Sequence, residues 1–274
     1  KMKPYGACRA CLVEVEANGR KMLVASCTTP PTPDSNVSTN NEQVTDLRRN
    51  VIELLMTEHP HGCLTCHRIE LCGPQDICQR HVSVTDRCTI CPKNERCELK
   101  DTVRRVELDL RTPLNYHRRN LPVHTDDPFY DRDYNLCIVC ARCVRVCEEI
   151  RFDSALTLTS RSGVALVGTA HGTSLLESGC EFCGACVDVC PTGALVERNY
   201  KWEKAVKQIK TTCTNCPVGC QMIAEVNKFD KVIRFKGDIE GKTNNGQACF
   251  MGKFGYDYSN SKKRLKKPYI REDG

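Results

Sequence analysis

The chain has 274 residues, of which 27% are charged, 40% hydrophobic and only 6% aromatic, with 17 Gly, 13 Pro and 22 Cys. So thin an apolar supply argues against one large core and for several small units, each held by a metal or a disulfide, and no apolar run approaches the ~20 residues of a membrane span. The formal charge of +6 counts every cysteine as neutral; bound to metal as thiolates, the cysteines would cancel the basic excess that otherwise points to nucleic acid.

In chain order, residues 11–17 alternate as a strand, Asn18-Gly19 is the strongest short hairpin signal, and 21–26 returns as the partner strand. Cys8, Cys11 and Cys27 flank this hairpin. Residues 28–41, rich in Pro, Ser, Thr and Asn, read as a surface loop. Thr45 or Asp46 then caps a helix in which Leu47, Val51, Leu54 and Leu55 recur at helical spacing, ending near His59-Pro60. Residues 59–97 have almost no periodicity, so their fold is expected to depend on bound metal. A short strand is expected within 101–110, and an extended connection over 111–133, with Pro113, Pro122 and Pro128. Residues 136–196 carry an internal repeat. After a link at 199–212, the stretches 221–226 and 231–236 alternate around Asp230 as a hairpin, and the basic tail 259–274 ends without a closing element. This divides the chain into units at 1–44, 45–110, 136–198 and 207–274, with 111–135 as linker.

The cysteine spacing decides between metal and disulfide. Cys-x2-Cys recurs at Cys8/Cys11, Cys63/Cys66, Cys88/Cys91, Cys137/Cys140, Cys180/Cys183 and Cys213/Cys216, and thiols so spaced converge on one centre. The run Cys137, Cys140, Cys143, Cys147 is repeated as Cys180, Cys183, Cys186, Cys190, followed by Pro191. This is the two-cluster ferredoxin pattern, in which the fourth cysteine of each run ligates the other cluster. Cys137, Cys140, Cys143 and Cys190 are thus expected to hold one [4Fe-4S] cluster, and Cys180, Cys183, Cys186 and Cys147 a second. Amide hydrogens of the loop 135–143 are expected to solvate the sulfide of the first cluster and tune its potential.

Cys213, Cys216 and Cys220, with Cys249 after the hairpin, form a three-plus-one set for a further [4Fe-4S] cluster, with zinc as the alternative. His59, Cys63, Cys66 and Cys72 read as a site of one histidine and three cysteines, with His61 and His67 as competing ligands. Cys78, Cys88, Cys91 and Cys97 repeat the x2, x5 half of that spacing and read as one more [4Fe-4S] site, with zinc and His81 as competitors. Cys8, Cys11 and Cys27 are one ligand short of a centre.

These residues resemble a known family. Residues 1–27, through Tyr5-Gly6-Ala7-Cys8-Arg9-Ala10-Cys11, resemble the plant-type [2Fe-2S] unit that opens the large iron–sulfur subunit of respiratory complex I and the large subunit of NAD-dependent formate dehydrogenases. The family's fourth ligand stands about a dozen residues earlier, before Lys1. His59, Cys63, Cys66 and Cys72 match its cluster with one histidine ligand, and residues 129–147 and 178–195 its ferredoxin-type domain. Residues 213–249 resemble the four-iron region that opens enzymes carrying two molybdenum- or tungsten-bound pyranopterin guanine dinucleotides. Two departures stand out. The set Cys78, Cys88, Cys91, Cys97 is additional, and Met251 occupies the place where many formate dehydrogenases carry a lysine between cluster and pterin, leaving Lys253 as the nearest base.

The resemblance implies an α+β, multi-domain iron–sulfur protein: a β-grasp [2Fe-2S] ferredoxin remnant, a one-His/three-Cys region, a 2x[4Fe-4S] ferredoxin domain and the start of a molybdopterin-oxidoreductase [4Fe-4S] domain. Five [4Fe-4S] clusters and one [2Fe-2S] cluster are expected, with no catalytic residue in this chain. The implied function is the electron-transfer part of a formate dehydrogenase-like oxidoreductase, an enzyme only as part of a complex. Its implied partners are an FMN/NAD-binding diaphorase-like subunit, a small [2Fe-2S] subunit and a pterin domain or subunit, in the cytoplasm and at a membrane only through partners. The alternative is a complex I-like or hydrogenase-associated subunit carrying electrons from NADH; a zinc scaffold without redox chemistry is a third.

Overall fold

The computed structural model describes residues 2–60, 62–64, 66, 71–73, 78, 88–108, 114–115, 117–160, 163–170 and 172–272. Strands β1 (Leu12–Ala17) and β2 (Arg20–Ala25) form the expected hairpin, pairing Val13 with Val24 and Ala17 with Arg20. Asn18 (φ 53°) and Gly19 (φ 67°) both take the left-handed conformation, whose twist matches the flanking strands. The expected loop 28–41 also supplies a strand: β3 (Asn36–Ser38) adds to the free edge of β1, with Val37 opposite Val15. One apolar residue in three gives no periodic signal, so only the tertiary pairing defines it.

Helix α1 (Glu42–Met56) starts before the expected cap. Asn41, not Thr45 or Asp46, caps it, its side chain accepting from Val44 N at 2.8 Å. Its buried face runs through Val44, Ile52 and Met56, while Leu54, expected inside, is 60% exposed. Arg48 fixes the helix to the hairpin by donating to Leu12 O at 2.6 and 2.9 Å and to Thr39 O at 2.7 Å.

Where the sequence predicts a strand at 101–110, helix α2 (Glu98–Arg105) runs to Arg105 and a turn follows at 106–107. Cys97 Sγ accepts from Lys100 N at 3.4 Å as the cap, Glu98 and Asp101 lie in the first turn, and Arg104 and Arg105 in the last, all favourable to the helix dipole. Leu99 and Val103, four apart, pack on Ile52, Met56 and Leu64 in a small core.

In the next unit, β4 (Tyr130–Arg132) pairs antiparallel with β7 (Leu195–Glu197), bringing the two ends of the cysteine repeat together. Between them lie α3 (Arg142–Val146), continued by a π-helical turn at Cys147–Arg151, the hairpin of β5 (Thr157–Thr159) and β6 (Leu166–Gly168), and α4 (Ala185–Val189). Tyr130, Leu156, Val167, Leu175, Val187 and Leu195 form its core, together with buried cysteines. The last unit is a three-stranded sheet, β8 (Lys207–Thr212), β9 (Gln221–Val226) and β10 (Val232–Gly237), in order β10-β9-β8. The expected hairpin is β9-β10, turning at Asp230 (φ 58°); β8 occupies the expected link and is exposed throughout. Helices α5 (Phe250–Phe254) and α6 (Asp257–Asn260) follow. No helix among the described residues is long and apolar enough to cross a membrane.

Candidate iron–sulfur centres

The two halves of the cysteine repeat fold alike, position for position. Cys137 is followed by Val139 (φ 53°), Ala141 (φ 57°) and α3, and Cys180 by Phe182 (φ 51°), Gly184 (φ 73°) and α4. In each loop the left-handed turn aims an amide at the first sulfur, Val139 N at Cys137 Sγ (3.3 Å) and Phe182 N at Cys180 Sγ (3.4 Å). Amide donors to the first cysteine sulfur of each run are therefore built into the backbone. A β-branched residue at positive φ costs on the order of 1–3 kcal/mol and persists only where its surroundings hold it, so Val139 marks a loop shaped for something other than its own stability.

The structure brings both crossed quartets together. Burial pushes the Cys143 thiol up, and Cys190, Cys137 and Cys140 beside it push further. Burial likewise raises Cys186, reinforced by Cys143, Cys183 and Cys180, and raises Cys147, which has Cys183 as a neighbour. Cys137 and Cys180 are each pushed up to about 11, chiefly by burial. Each quartet has three buried thiols and one half-buried, and thiols whose anions repel one another there are costly to ionise alone and well served by a cationic metal core. The donor sets thus fit iron–sulfur clusters, and the Cys143–Cys186 neighbourhood makes the two quartets adjacent.

Cys213, Cys216, Cys220 and Cys249 also come together. Cys213 N donates to Cys220 O at 2.8 Å, closing the loop, and the Cys220 thiol is raised by burial and then by Cys213, Cys216 and Cys249. At the other end of the chain, Cys11 and Cys27 meet across the hairpin. Burial opposes ionisation of Cys11, yet hydrogen bonds from Cys27 and Ser26 bring its thiol below the usual range. Cys8 and Cys140 both lie within electrostatic range of Arg142, which donates to Glu98 at 2.7 Å.

Of the expected set Cys78, Cys88, Cys91 and Cys97, the last three converge, and Cys63 joins them. Cys88 is raised foremost by a hydrogen bond with Cys63, then by burial and by Cys91 and Cys97. A cavity of about 260 Å³ is lined by these three cysteines and by His59, which is 5% exposed. Cys66 N donates to Cys63 O at 3.0 Å, Cys72 Sγ lies 3.9 Å from Gly73 O, and Cys78 is half-buried. His61, His67 and His81 lie outside the described residues. Among the described residues no three His, Cys, Asp or Glu converge tightly enough for a single metal ion.

Sequence reasoning missed the residues that join the last unit to the repeat. Lys253 is fully buried and pairs with Asp188 (2.5 Å) and Glu197 (3.0 Å). Arg234 reaches Asp188 (2.6 Å), Glu197 (2.7 Å) and Glu225 (3.7 Å), and Lys236 also pairs with Glu225. The outlying signal was charge on the β9-β10 hairpin, where Glu225, Arg234 and Lys236 interrupt the apolar pattern. Phe129 stacks on Phe254 at 4.5 Å across the same boundary. A Cβ on Gly184 would meet Phe254 at 2.9 Å and Lys253 at 3.1 Å, and one on Gly252 would lie 3.5 Å from Cys213 Sγ. Three successive residues of α5 thus touch the ligand loops of both units.

The fold and its donor sets define a multi-centre iron–sulfur protein, and the comparisons agree along the chain. Residues 1–42 match the model of a 2Fe-2S iron–sulfur cluster binding domain, 48–83 the NADH-ubiquinone oxidoreductase-G iron–sulfur binding region, 127–196 the ferredoxin-like domain of NADH-quinone oxidoreductase subunit 3, and 206–261 the molybdopterin oxidoreductase Fe4S4 domain. The chain belongs to the family of large iron–sulfur subunits of NADH-quinone oxidoreductases. It is 31% identical over 281 residues to NADPH-Fe(3+) oxidoreductase subunit alpha of Geobacter sulfurreducens, an alignment covering 99% of this chain and 29% of that protein. With NADH-quinone oxidoreductase subunit 3 of Thermus thermophilus it shares 29% identity over 298 residues, 100% of this chain and 35% of the other. The chain thus spans about a third of the length of these relatives. A crystal structure of an NAD+-reducing [NiFe]-hydrogenase in the H2-reduced state superposes with a TM-score of 0.52 at 26% identity, covering 72% of this chain and 71% of that one.

Proposed function

We propose that the chain is an electron-transfer region of an NAD(P)H-linked oxidoreductase complex of the NADH dehydrogenase or hydrogenase type. It would hold five [4Fe-4S] clusters and, with a fourth ligand beside Cys8, Cys11 and Cys27, one [2Fe-2S] cluster. Such clusters take up and release electrons one at a time; the chain's residues hold, space and insulate them. The observation that carries this reading is the run of contacts from one donor set to the next. Arg142 senses the charge of both Cys140 and Cys8, Cys143 neighbours Cys186, and α5 lies against both Gly184 and Cys213.

Of the two functions expected from the sequence, the NADH- or hydrogenase-linked one has more support than the formate dehydrogenase-like one. The relatives are named for NADH, NADPH and hydrogenase reactions, whereas the pterin link rests on the match at 206–261. Lys253, the nearest base to the last donor set, is engaged by Asp188 and Glu197. A flavin- and NAD(P)-binding subunit and a small [2Fe-2S] subunit are the partners this reading requires, in a reducing compartment such as the cytoplasm. Anaerobic purification of the whole complex, with iron, sulfide, molybdenum and tungsten analysis and EPR after NADH or NADPH addition, tests it. Multiple reduced-cluster signals without molybdenum or tungsten are expected. Stoichiometric molybdenum or tungsten would restore the formate dehydrogenase-like reading, and zinc in place of iron would end both.

A further inference from the structure

The two ferredoxin-type quartets are built on one repeat, yet the structure sets opposite charges beside them. Lys93, 6% exposed, lines a cavity of about 610 Å³ together with Cys190, the ligand that crosses to the first quartet. Asp153 places Oδ2 3.9 Å from the sulfur of Cys147, the ligand that crosses the other way. We propose, resting on the iron–sulfur reading above, that these two side chains polarise the pair: Lys93 makes the centre held by Cys137, Cys140, Cys143 and Cys190 the easier to reduce, and Asp153 makes the centre held by Cys180, Cys183, Cys186 and Cys147 the harder.

The backbone fixes Lys93 in place. Arg96 N donates to its carbonyl at 2.9 Å, and its Cβ lies 3.7 Å from where a Cβ on Gly193, in the turn after Cys190, would stand. Among the described residues no carboxylate pairs with its ammonium, and a buried charge without a partner is costly. Burial disfavours the ammonium, and the first charge that offsets this is the thiolate of Cys190. Arg119 and Arg142, whose charges also reach the first quartet, are already matched by Glu58 and Glu98. The charge of Lys93 is thus left to the centre itself.

Asp153 is held by the end of the π-helical turn that begins at Cys147. Its amide donates to Cys147 O at 3.1 Å, and its Oδ2 accepts from the amide of Glu181, the residue after Cys180, at 3.4 Å. Among the described residues no lysine or arginine pairs with it. Burial is what chiefly raises the Cys147 and Cys180 thiols, and Asp153 is the first charge that adds to it in each. A centre gains one negative charge with each electron it takes up, so a neighbouring cation favours its reduced form and a neighbouring anion opposes it, most strongly where water is excluded. An electron shared by the pair therefore rests on the first centre.

The test is an EPR-monitored redox titration of the whole complex, prepared anaerobically and read at one fixed pH, with Cys190→Ser and Cys147→Ser assigning the two signals. In wild type the first centre is expected to have the higher midpoint. Lys93→Met should lower it, so that at the wild-type midpoint the ratio of reduced to oxidised centre falls about tenfold, a shift of about 59 mV for one electron. Lys93→Arg, whose guanidinium stays charged, should leave it in place, and Asp153→Asn should raise the second midpoint. Lys93→Gln is read beside Lys93→Met, so that loss of iron in one uncharged variant leaves the other to report. Equal or reversed wild-type midpoints overturn the proposal, as do midpoints that neither Lys93→Met nor Asp153→Asn moves. So does Lys93→Arg shifting as far as Lys93→Met, or loss of the first centre in both uncharged variants, since either would make Lys93 a packing residue. A wild-type complex without iron and sulfide would instead remove the electron-transfer reading on which the proposal rests.

Discussion

Lys253 Nζ donates to Asp188 Oδ1 at 2.5 Å, joining the helix that follows Cys249 to the helix that carries Cys186. Its second acceptor, Glu197, is 3% exposed in its side chain and shares Arg234 as a further partner. A lysine removed from water in this way must be matched by anions, and here the carboxylates of Asp188 and Glu197 are shared between its ammonium and the Arg234 guanidinium.

Lys253→Met should therefore do more than remove a contact. It leaves Asp188 and Glu197 facing Arg234 alone, and removing one partner of a buried ion pair costs about 3–5 kcal/mol. The expected result is undocking of the last unit: faster proteolysis in the 199–206 connection and a weaker signal from the centre at Cys213, Cys216, Cys220 and Cys249, with the ferredoxin-type clusters retained. Limited proteolysis with mass mapping checks it. Unchanged cleavage would show that Phe129 on Phe254 and the Arg234 pairs suffice.

The same network fixes how docking responds to pH. Although burial opposes its ionisation, Lys253 and Arg234 hold the Asp188 carboxyl below its usual range. A carboxylate whose folded pKa is depressed contributes stability above its unfolded pKa of about 3.9 and loses it as pH falls through the lower folded value. Docking should thus be flat between about pH 5 and 8, with the Asp188 contribution fading only below about pH 4. Cleavage rates of the 199–206 connection by an acid-active protease, compared between wild type and Asp188→Asn, measure this; a steep change near pH 6 would point to a different group.

What the sequence could reveal depended on how local the cause was. The crossed quartets were legible because ligand spacing follows from the short loops that wrap each cluster, and the repeat was printed twice. The α1 start was misread because Asn41 was absorbed into a polar loop. Helix α2 was misread as a strand because Val106 and Leu108 alternate, and because its cap is Cys97, a residue type outside the usual Ser, Thr, Asp and Asn. The Lys253 network was illegible in principle, since Lys253 and Asp188 are 65 residues apart. The meeting of His59 with Cys88, Cys91 and Cys97 in one cavity was hidden by the identical spacing of two trios.

Metal removal should expose the spread of thiol acidities. With iron extracted, Cys11 is held below the usual range by its Cys27 and Ser26 hydrogen bonds, whereas Cys137 and Cys180 are pushed up to about 11. Alkylation proceeds through the thiolate, so at pH 8 Cys137 and Cys180 should react slower than an ordinary cysteine by roughly 100-fold, and Cys11 faster. Timed iodoacetamide labelling with peptide mass spectrometry reads each site. Equal rates throughout would mean that the cavities collapse or open once the metal leaves.

The two halves of the repeat make different predictions at one equivalent position. Ala141 (φ 57°) and Gly184 (φ 73°) both precede the helix of their loop in the left-handed conformation. An L-residue pays roughly 1–2 kcal/mol there and glycine does not. Ala141→Gly should therefore be close to neutral for the first loop, because the relief of roughly 1–2 kcal/mol is offset by about 0.8 kcal/mol for one buried methyl and about 0.5–1 kcal/mol for the greater unfolded entropy of glycine. Gly184→Ala introduces the same strain and a Cβ 2.9 Å from Phe254 and 3.1 Å from Lys253. Because α5 also lies against Cys213, displacing it to relieve that overlap should disturb the last cluster along with the second ferredoxin-type one. EPR of both variants separates the cases. Ala141→Gly leaves every signal in place, while Gly184→Ala alters the signals of the centres on both sides of α5; a change confined to the ferredoxin-type centre would show that α5 does not transmit the displacement.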